Sequence, residues 1–174
     1  KTPTLENGKG GVFIKLNQKG FILPYNAKKW RCIFDQSTGL FWLNNASALK
    51  RVSFSKKPEI IAKANQQAFC GYSDWRMPSK QELKTLSSKY NYFENQKWIY
   101  SGSSVVPHIY ANSSFFSDLD QQAYPYYWSA TEGEFSQFGV ALSLLSGNLE
   151  HHLKDSRFYM RLVRANPKGS ENEK

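Results

Sequence analysis

The sequence predicts an α+β fold in which antiparallel sheets pack with two helices. Strand-like apolar runs occupy both ends of the chain, and two segments with helical periodicity lie between them. A chain of 174 residues with 40% hydrophobic content is also long enough to bury one core. No apolar run approaches the roughly 20 residues of a membrane-spanning helix, and no signal-peptide pattern is present. Because the chain opens at Lys1 without Met, we expect a processed or excised piece.

Short strands joined by turns account for the first part of the chain. Apolar runs lie at 12–16, 21–24, 30–34 and 40–43. Two of the intervening segments begin with Asn or Asp and end in glycine, at Gly20 and Gly39. Asn and Asp side chains bond to nearby backbone in turns, and glycine accepts the positive φ that such turns need. The runs therefore predict β-hairpins.

Two helices are predicted in the middle of the chain. From residue 58 to about residue 69 apolar side chains recur on one face, and Pro58 suits a first helical turn. Ser79 and Glu82 form a capping-box pattern, in which a hydroxyl and a carboxylate satisfy each other's free backbone N–H groups. A second helix is therefore expected from about 79 to 89.

The second half of the chain returns to strands after a long aromatic and polar stretch. Residues 90–125 are weakly periodic and predict a long irregular loop region that is packed rather than disordered. Strands are expected at 126–131, 137–145, 149–153 and 157–164, with the first and last strands of the chain sharing one antiparallel sheet. We assign 13–165 to a single domain, with a lead-in at 1–12 and a polar tail at 166–174.

Positive charge is concentrated in the first half of the chain. Residues 1–89 contain 16 Lys and Arg against 5 Asp and Glu, a net +11, whereas residues 90–174 contain 7 against 9, a net −2. Such a field attracts anionic partners and does not determine the fold. The candidate partners are sulfated or acidic polysaccharide, nucleic acid, an anionic membrane and the acidic segment of another copy. The alternative is that the charge serves solubility alone.

Five specific motifs follow one another along the chain, and the first of them is Phe13-x-Lys15-Leu16. The other four are Trp30-x-Cys32-x-x-Asp35-x-x-Thr38-Gly39-Leu40-x-Trp42, Cys70-Gly71-Tyr72-Ser73-Asp74-Trp75-Arg76-Met77-Pro78-Ser79-x-x-Glu82-Leu83, Tyr127-Trp128-Ser129-Ala130-Thr131 and Arg161-Leu162-Val163-Arg164. In this order they closely resemble the Lcl C-terminal domain family, named for a collagen-like surface adhesin of Legionella. The resemblance covers about residues 13–164. It implies a C-type-lectin-like fold, an extracellular or bacterial cell-surface location, and a homotrimeric head on a stalk.

The chain contains two cysteines, Cys32 and Cys70. The residues alone leave two interpretations open, a pair of buried thiols or one disulfide. The exported location implied by the resemblance favours the disulfide, because such bonds persist in oxidising compartments.

No metal or cofactor is expected. His108, His151 and His152 lack the spacing of a zinc site, and Asp118 and Asp120 on one loop supply only part of a calcium shell. The tripeptides through which C-type lectins hold calcium and sugar, Glu-Pro-Asn or Gln-Pro-Asp and then Trp-Asn-Asp, do not occur in the sequence. Glycan binding, if it occurs, is therefore expected to be independent of calcium.

The sequence contains no Ser/His/Asp order, no phosphate-binding glycine loop and no His-Glu-x-x-His motif. The closely spaced carboxylates Asp118/Asp120 and Glu132/Glu134 leave a paired-carboxylate hydrolase as the open enzymatic alternative. The resemblance links the fold to formylglycine-generating oxidases, which use a reactive cysteine pair late in the chain, whereas both cysteines here lie in the first 70 residues. We interpret Asp74-Trp75-Arg76 as structural, with Trp75 in the core and Arg76 bonded to carbonyls or a carboxylate. Glu82 is explained as a helix cap. We expect a binding domain and not an enzyme.

The leading hypothesis for function is an adhesin domain that binds sulfated polysaccharides such as glycosaminoglycans. Its candidate ligand-binding residues are seven cations, which are alternatively a solvated rim: Lys28, Lys29, Arg31, Lys50, Arg51, Lys56 and Lys57. The competing hypothesis is an assembly module, such as a pilus-tip or minor-pilin head, whose basic half docks onto the acidic 90–150 segment of a neighbour. No base-reading motif is present, so specific nucleic-acid binding is not expected.

Overall fold

The computed structural model describes residues 13–24, 26–44, 51–90, 98–101, 104–107, 126–143 and 146–165. Its helices are α1 (Lys57–Gln66) and α2 (Lys80–Tyr90). Its strands are β1 (Phe13–Leu16), β2 (Cys32–Asp35), β3 (Leu40–Leu43), β4 (Trp98–Ser101), β5 (Ser104–Pro107), β6 (Tyr126–Glu132), β7 (Phe138–Ser143), β8 (Leu149–Leu153) and β9 (Val163–Ala165). The named strand pairs are antiparallel, which confirms the predicted α+β class.

One sheet joins the two ends of the domain. Its strand order is β1-β2-β3-β9, and the last strand lies against β3 with Val163 opposite Trp42. This arrangement confirms the expectation that the first and last strands share a sheet. Within the described residues, the predicted run at 21–24 forms one isolated β-bridge, in which Ile22 lies opposite Leu16. Phe21 and Ile22 are exposed, so no core contact holds the run as a strand.

A second sheet has the order β6-β7-β8. The predicted strand at 157–164 is wrong for most of its length, since the segment passes from one sheet to the other. Phe158 pairs with Val52 and Tyr159 pairs with Tyr127 before the chain reaches Val163 in β9. The segment therefore links the two sheets and does not extend either of them over its whole length.

Both predicted helices are present, with changes at their ends. α1 stops at Gln66 and not at 69, because Ala68 takes a left-handed conformation with a φ of 46° and the chain then makes a 3-10 turn. α2 begins with the predicted capping box. The backbone N–H of Ser79 donates to Glu82 Oε1 at 3.0 Å, and the N–H of Glu82 donates to Ser79 Oγ at 3.1 Å.

Two clusters of buried side chains form the core. One surrounds Cys32, Cys70 and Trp128, and the other places Trp42 between the first sheet, α2 and β7. Trp42, Trp75 and Trp128 are all at most 1% exposed, as their assignment to the core predicts. No helix among the described residues is long and apolar enough to cross a membrane.

The long loop region contains regular structure that the sequence analysis missed. β4 and β5 form a hairpin with Ser101 opposite Ser104, so the prediction of an irregular region is wrong there. The sequence does carry a signal, because a two-residue Gly-Ser connection between strand-forming runs is typical of hairpins. Apart from Tyr90 at the end of α2, the rest of 90–125, the lead-in at 1–12 and the tail at 166–174 lie outside the described residues.

Candidate functional site

Three of the predicted ligand-binding cations lie in the segment that enters β2. Lys28 and Lys29 are exposed and Arg31 is half-buried. The backbone of Arg31 is fixed on both sides, since its N–H donates to Leu16 O at 2.8 Å and its carbonyl accepts from Asn44 N–H at 2.9 Å. Two exposed ammonium groups and a guanidinium therefore project from a segment that the first sheet holds in place.

A fourth cation, Lys15, contacts this segment. Lys15 in β1 is 5% exposed, its Nζ donates to Ala27 O at 3.0 Å, and it lies 3.9 Å from the centroid of the Trp30 ring. Burial lowers the pKa of Lys15, and the nearby charge of Lys28 lowers it further. Lys28 and Lys15 are therefore close enough for their positive charges to interact.

Arg31 also contacts the turn that follows α1. Its guanidinium lies 5.0 Å from the centroid of the Phe69 ring. Next to Phe69, Cys70 forms the predicted disulfide with Cys32 of β2. Gly20 packs against this turn with a φ of 86°, and a Cβ there would lie 2.4 Å from Cys70 O. The disulfide and the close packing of Gly20 therefore hold in place the turn that Arg31 contacts.

The predicted cations near the start of α1 are in a different electrostatic environment. Lys56 Nζ lies 2.8 Å from Glu59 Oε2. Lys57 Nζ lies 3.4 Å from the centroid of the Phe54 ring and 3.9 Å from Glu132 Oε1. Burial has the largest effect on the pKa of Lys57 and lowers it, while Glu132 opposes that shift. Carboxylates of the same chain therefore partly neutralise both lysines.

The structure divides the predicted site into two groups. The entry group is Lys28, Lys29 and Arg31, and the helix group is Arg51, Lys56 and Lys57. Arg31 contacts the turn beyond the C-terminal end of α1, whereas Lys56 and Lys57 lie at its N-terminal end, and a helix of ten residues is about 15 Å long. Lys50 lies outside the described residues.

Ion pairing distinguishes the two groups. Among the described residues, no member of the entry group forms an ion pair, whereas Lys56 and Lys57 each have a carboxylate partner. Lys154, which the sequence pattern did not indicate, also contacts Glu132 through its Nζ. Lys15 was likewise not predicted, because a lysine among alternating strand residues is expected to face solvent.

The Asp74-Trp75-Arg76 run makes structural contacts. The N–H and carbonyl groups of Arg76 pair with Val163 in β9, and its guanidinium forms two hydrogen bonds of 2.8 and 2.9 Å with Glu82. Asp74 accepts from Arg164 at 2.7 and 3.1 Å. The hydrogen bond from Arg164 lowers the pKa of Asp74. These residues tie the loop to β9 and to the cap of α2, as their interpretation as structural predicts.

The described residues contain no cluster of three or more His, Cys, Asp or Glu side chains that is suited to a metal. His152 Nε2 lies 3.0 Å from Glu150 Oε2, and His151 is exposed. His108, Asp118 and Asp120 lie outside the described residues.

The family model described as the Lcl C-terminal domain matches residues 31–164, which is most of the chain. No curated protein matches the chain.

Proposed function

We propose that this chain, which belongs to the Lcl C-terminal domain family, binds sulfated polysaccharides such as glycosaminoglycans through the entry group. Membership of the family suggests an adhesin-like domain, and the proposed location is extracellular or on the bacterial cell surface. The proposed activity is binding and not catalysis.

One observation carries the proposal: the entry group has no ion pair among the described residues. A cation that already contacts a carboxylate must exchange that partner for a sulfate, whereas an unpaired surface cation gains a partner. The charge of Lys15 beneath the segment adds to the local positive potential. Lys28 and Lys29 are therefore the side chains with most to gain from a polyanion.

The helix group extends this surface with weaker contributions. Lys56 and Lys57 are partly neutralised by Glu59 and Glu132, so an anion gains less there. Arg51 is exposed, and Lys50 precedes it in the sequence. Because Arg31 and Lys57 lie toward opposite ends of α1, which is about 15 Å long, a long sulfated chain can contact both groups, whereas a single monosaccharide cannot.

The proposed mechanism does not involve calcium. Lys and Arg side chains bind sulfate directly, and the polyanion releases counterions when its charges are neutralised, as nucleic acids do. Binding should therefore weaken steeply as salt increases. If the chain assembles as the trimer that the resemblance implies, several copies of the surface would act together and raise the effective affinity.

The assembly hypothesis has less support in this structure. It requires acidic side chains within 90–150 that are available to a neighbour's basic half. Glu132 contacts Lys57 and Lys154, and Glu150 contacts His152, so two of these carboxylates already have partners. The exposed Glu134 is the remaining described member of this acidic set.

An array of sulfated and unsulfated glycans tests the proposal directly. We expect binding to heparin and other densely sulfated chains, little binding to the matched unsulfated chains, and loss of binding at high salt. DNA serves as a control polyanion, for which weak binding without sequence preference is expected. Equal binding to sulfated and unsulfated glycans would contradict the proposal.

A further inference from the structure

Glu132, the last residue of β6, bridges two lysines from distant parts of the chain. Its Oε1 lies 3.9 Å from Lys57 Nζ at the start of α1, and its Oε2 contacts Lys154 Nζ just after β8. Each carboxylate oxygen therefore has its own ammonium partner. A carboxylate that two cations hold marks a place where this fold stabilises a negative charge.

The aromatic ring of Phe54 contacts both ammonium groups. Lys57 Nζ lies 3.4 Å and Lys154 Nζ lies 5.2 Å from the centroid of the ring, within the range of about 6 Å over which an aromatic face attracts a cation. Burial lowers the pKa of Lys57, Glu132 raises it, and the positive charge of Lys154 lowers it again. The two ammonium groups are therefore close enough for one anion to bind both.

The core of the domain holds Phe54 in place. Phe54 is 3% exposed, and its ring meets Trp128 edge-to-face with 5.2 Å between the ring centroids. A Cβ on Gly139 in β7 would lie 2.7 Å from two atoms of the Phe54 ring, so only glycine lets the ring pack this closely. The backbone N–H of Phe54 also donates to Lys154 O at 2.9 Å. The ring and the backbone of Lys154 are therefore already in position before any ligand binds.

Glu132 is the most exposed member of this arrangement. Its side chain is 61% exposed, whereas those of Lys57 and Lys154 are 18% and 29% exposed. A carboxylate that turns away into water regains its hydration, and ion pairs with an exposed partner add little to stability. An incoming anion therefore replaces the carboxylate of Glu132 and leaves both lysines in place.

We propose that Lys57 and Lys154 form an anion subsite over Phe54, which Glu132 occupies in the free protein and which a sulfate group of a bound glycan takes by displacing Glu132. This inference rests on the proposed function and adds Lys154 to the residues that contact the glycan. Like the carboxylate, a sulfate presents several oxygens and accepts from both ammonium groups. Each copy of the chain has its own subsite, so the inference holds for one copy and for a trimer.

The displacement of Glu132 makes the subsite depend on the length of the glycan. A short sulfated glycan that reaches the subsite alone exchanges one anion for another there and gains little. A long chain that the entry group already holds supplies its next sulfates at a high effective concentration, which favours displacement. Glu132 is therefore a specificity-determining residue that disfavours short sulfated glycans.

Two glutamine variants test the competition between Glu132 and sulfate. Glu132→Gln removes the competing charge, and Glu134→Gln removes the same charge from an exposed position two residues away. We expect Glu132→Gln to bind a short heparin-derived oligosaccharide about fivefold more tightly than Glu134→Gln, a gain equivalent to one surface ion pair. Titration calorimetry measures both affinities, and a melting curve verifies that each variant is folded. Equal affinities would overturn the proposal.

Removal of Lys154 shows whether the gain arises in the subsite. Lys154→Gln should weaken binding of the same oligosaccharide more in the Glu132→Gln background than in the unmodified chain, because Glu132 no longer competes for its ammonium group. Such non-additivity is expected of groups that share one partner. An equal loss of affinity in both backgrounds would overturn the proposal.

Acetylation of lysines in the unmodified chain provides a test that needs no variant. We expect long heparin to protect Lys154 from acetylation together with Lys28 and Lys29, while the exposed Lys63 in α1 keeps its reactivity. Mass spectrometry of the digested protein measures the modification at each lysine. Protection of Lys28 and Lys29 without Lys154 would overturn the subsite and leave the proposed function intact, whereas protection of none of the three would overturn both.

Discussion

Arg161 is a buried cation whose side chain joins the end of β3 to β6. It is 1% exposed, and its Nη1 donates to Leu43 O at 2.8 Å and to Asn44 O at 2.6 Å. Its Nη2 donates to the hydroxyl of Tyr127 at 3.3 Å. The guanidinium therefore supplies donors to acceptors from two different sheets.

We expect Arg161→Ala to lower the free energy of unfolding by about 3 kcal/mol, because it leaves buried acceptors without donors and opens a cavity. Denaturant unfolding measures this loss. Arg157→Ala is the control, since Arg157 is exposed and surface changes usually stay within about 0.5 kcal/mol. Equal stabilities of the two variants would contradict this role for Arg161.

Glu82 links the cap of α2 to Arg76 and makes stability depend on pH. Burial raises the pKa of Glu82, but hydrogen bonds from Arg76 and Ser79 outweigh burial, so the net pKa lies below its usual range. A carboxyl with a lowered folded pKa stabilises the protein above its unfolded pKa of about 4.3. That stabilisation is lost as the pH falls through the folded value.

We expect the free energy of unfolding to fall on acidification below about pH 4.5, and to fall less steeply in Glu82→Gln. Urea unfolding across this acidic range measures both slopes. Glu134→Gln is the matched control, because Glu134 is exposed in the turn between β6 and β7. An acid slope in Glu82→Gln equal to that of the unmodified chain would argue against the contribution of Glu82.

Among the helices and strands, the features that depend only on residues close in the sequence were predicted correctly. The capping box at Ser79 and Glu82 located the start of α2 to within one residue, because both partners lie within one turn. The end of α1 was missed because Ala68 takes a left-handed conformation that few non-glycine residues adopt. The path of 157–164 was missed because its pairing partners, including Val52 and Tyr127, come from distant segments.

The disulfide connects β2 to the turn after α1. Because Cys32 and Cys70 are 38 residues apart, closing this loop should stabilise the fold by about 3–4 kcal/mol. We expect thiol titration under denaturing, non-reducing conditions to find no free thiol, and Cys32→Ala with Cys70→Ala to unfold at a lower denaturant concentration. Two reactive thiols per chain would contradict the bond.

For the molecule as a whole, the sequence predicted a basic region, but it did not predict that the cations of this region form two groups in different electrostatic environments. Lys28 and Lys57 both lie in the basic first half of the sequence and carry the same charge. Lys57 is partly neutralised by Glu132 in β6, which is 75 residues beyond it and which only folding brings near it, whereas Lys28 has no such partner among the described residues. The sequence could therefore predict a basic surface, but it could not separate the entry group from the helix group.

Calcium should have no effect on stability, because the proposed binding relies on side-chain cations. We expect the melting temperature of the full chain to be the same in EDTA and in millimolar calcium, and heparin binding to be equal in both. Magnesium at the same concentration controls for ionic strength. A rise in melting temperature with calcium alone would assign an ion site to this chain and overturn the calcium-independent account.

The most direct test of the central claim compares two charge-reversal variants on immobilised heparin. Lys28→Glu with Lys29→Glu alters the entry group, and Lys63→Glu with Arg157→Glu makes the same change in net charge at exposed positions outside both groups. We predict that the first variant elutes at a much lower salt concentration than the second, with the logarithmic salt dependence of its affinity reduced by about two. Elution of both variants at the same salt concentration would show that net charge alone determines retention, and would contradict a specific role for the entry group.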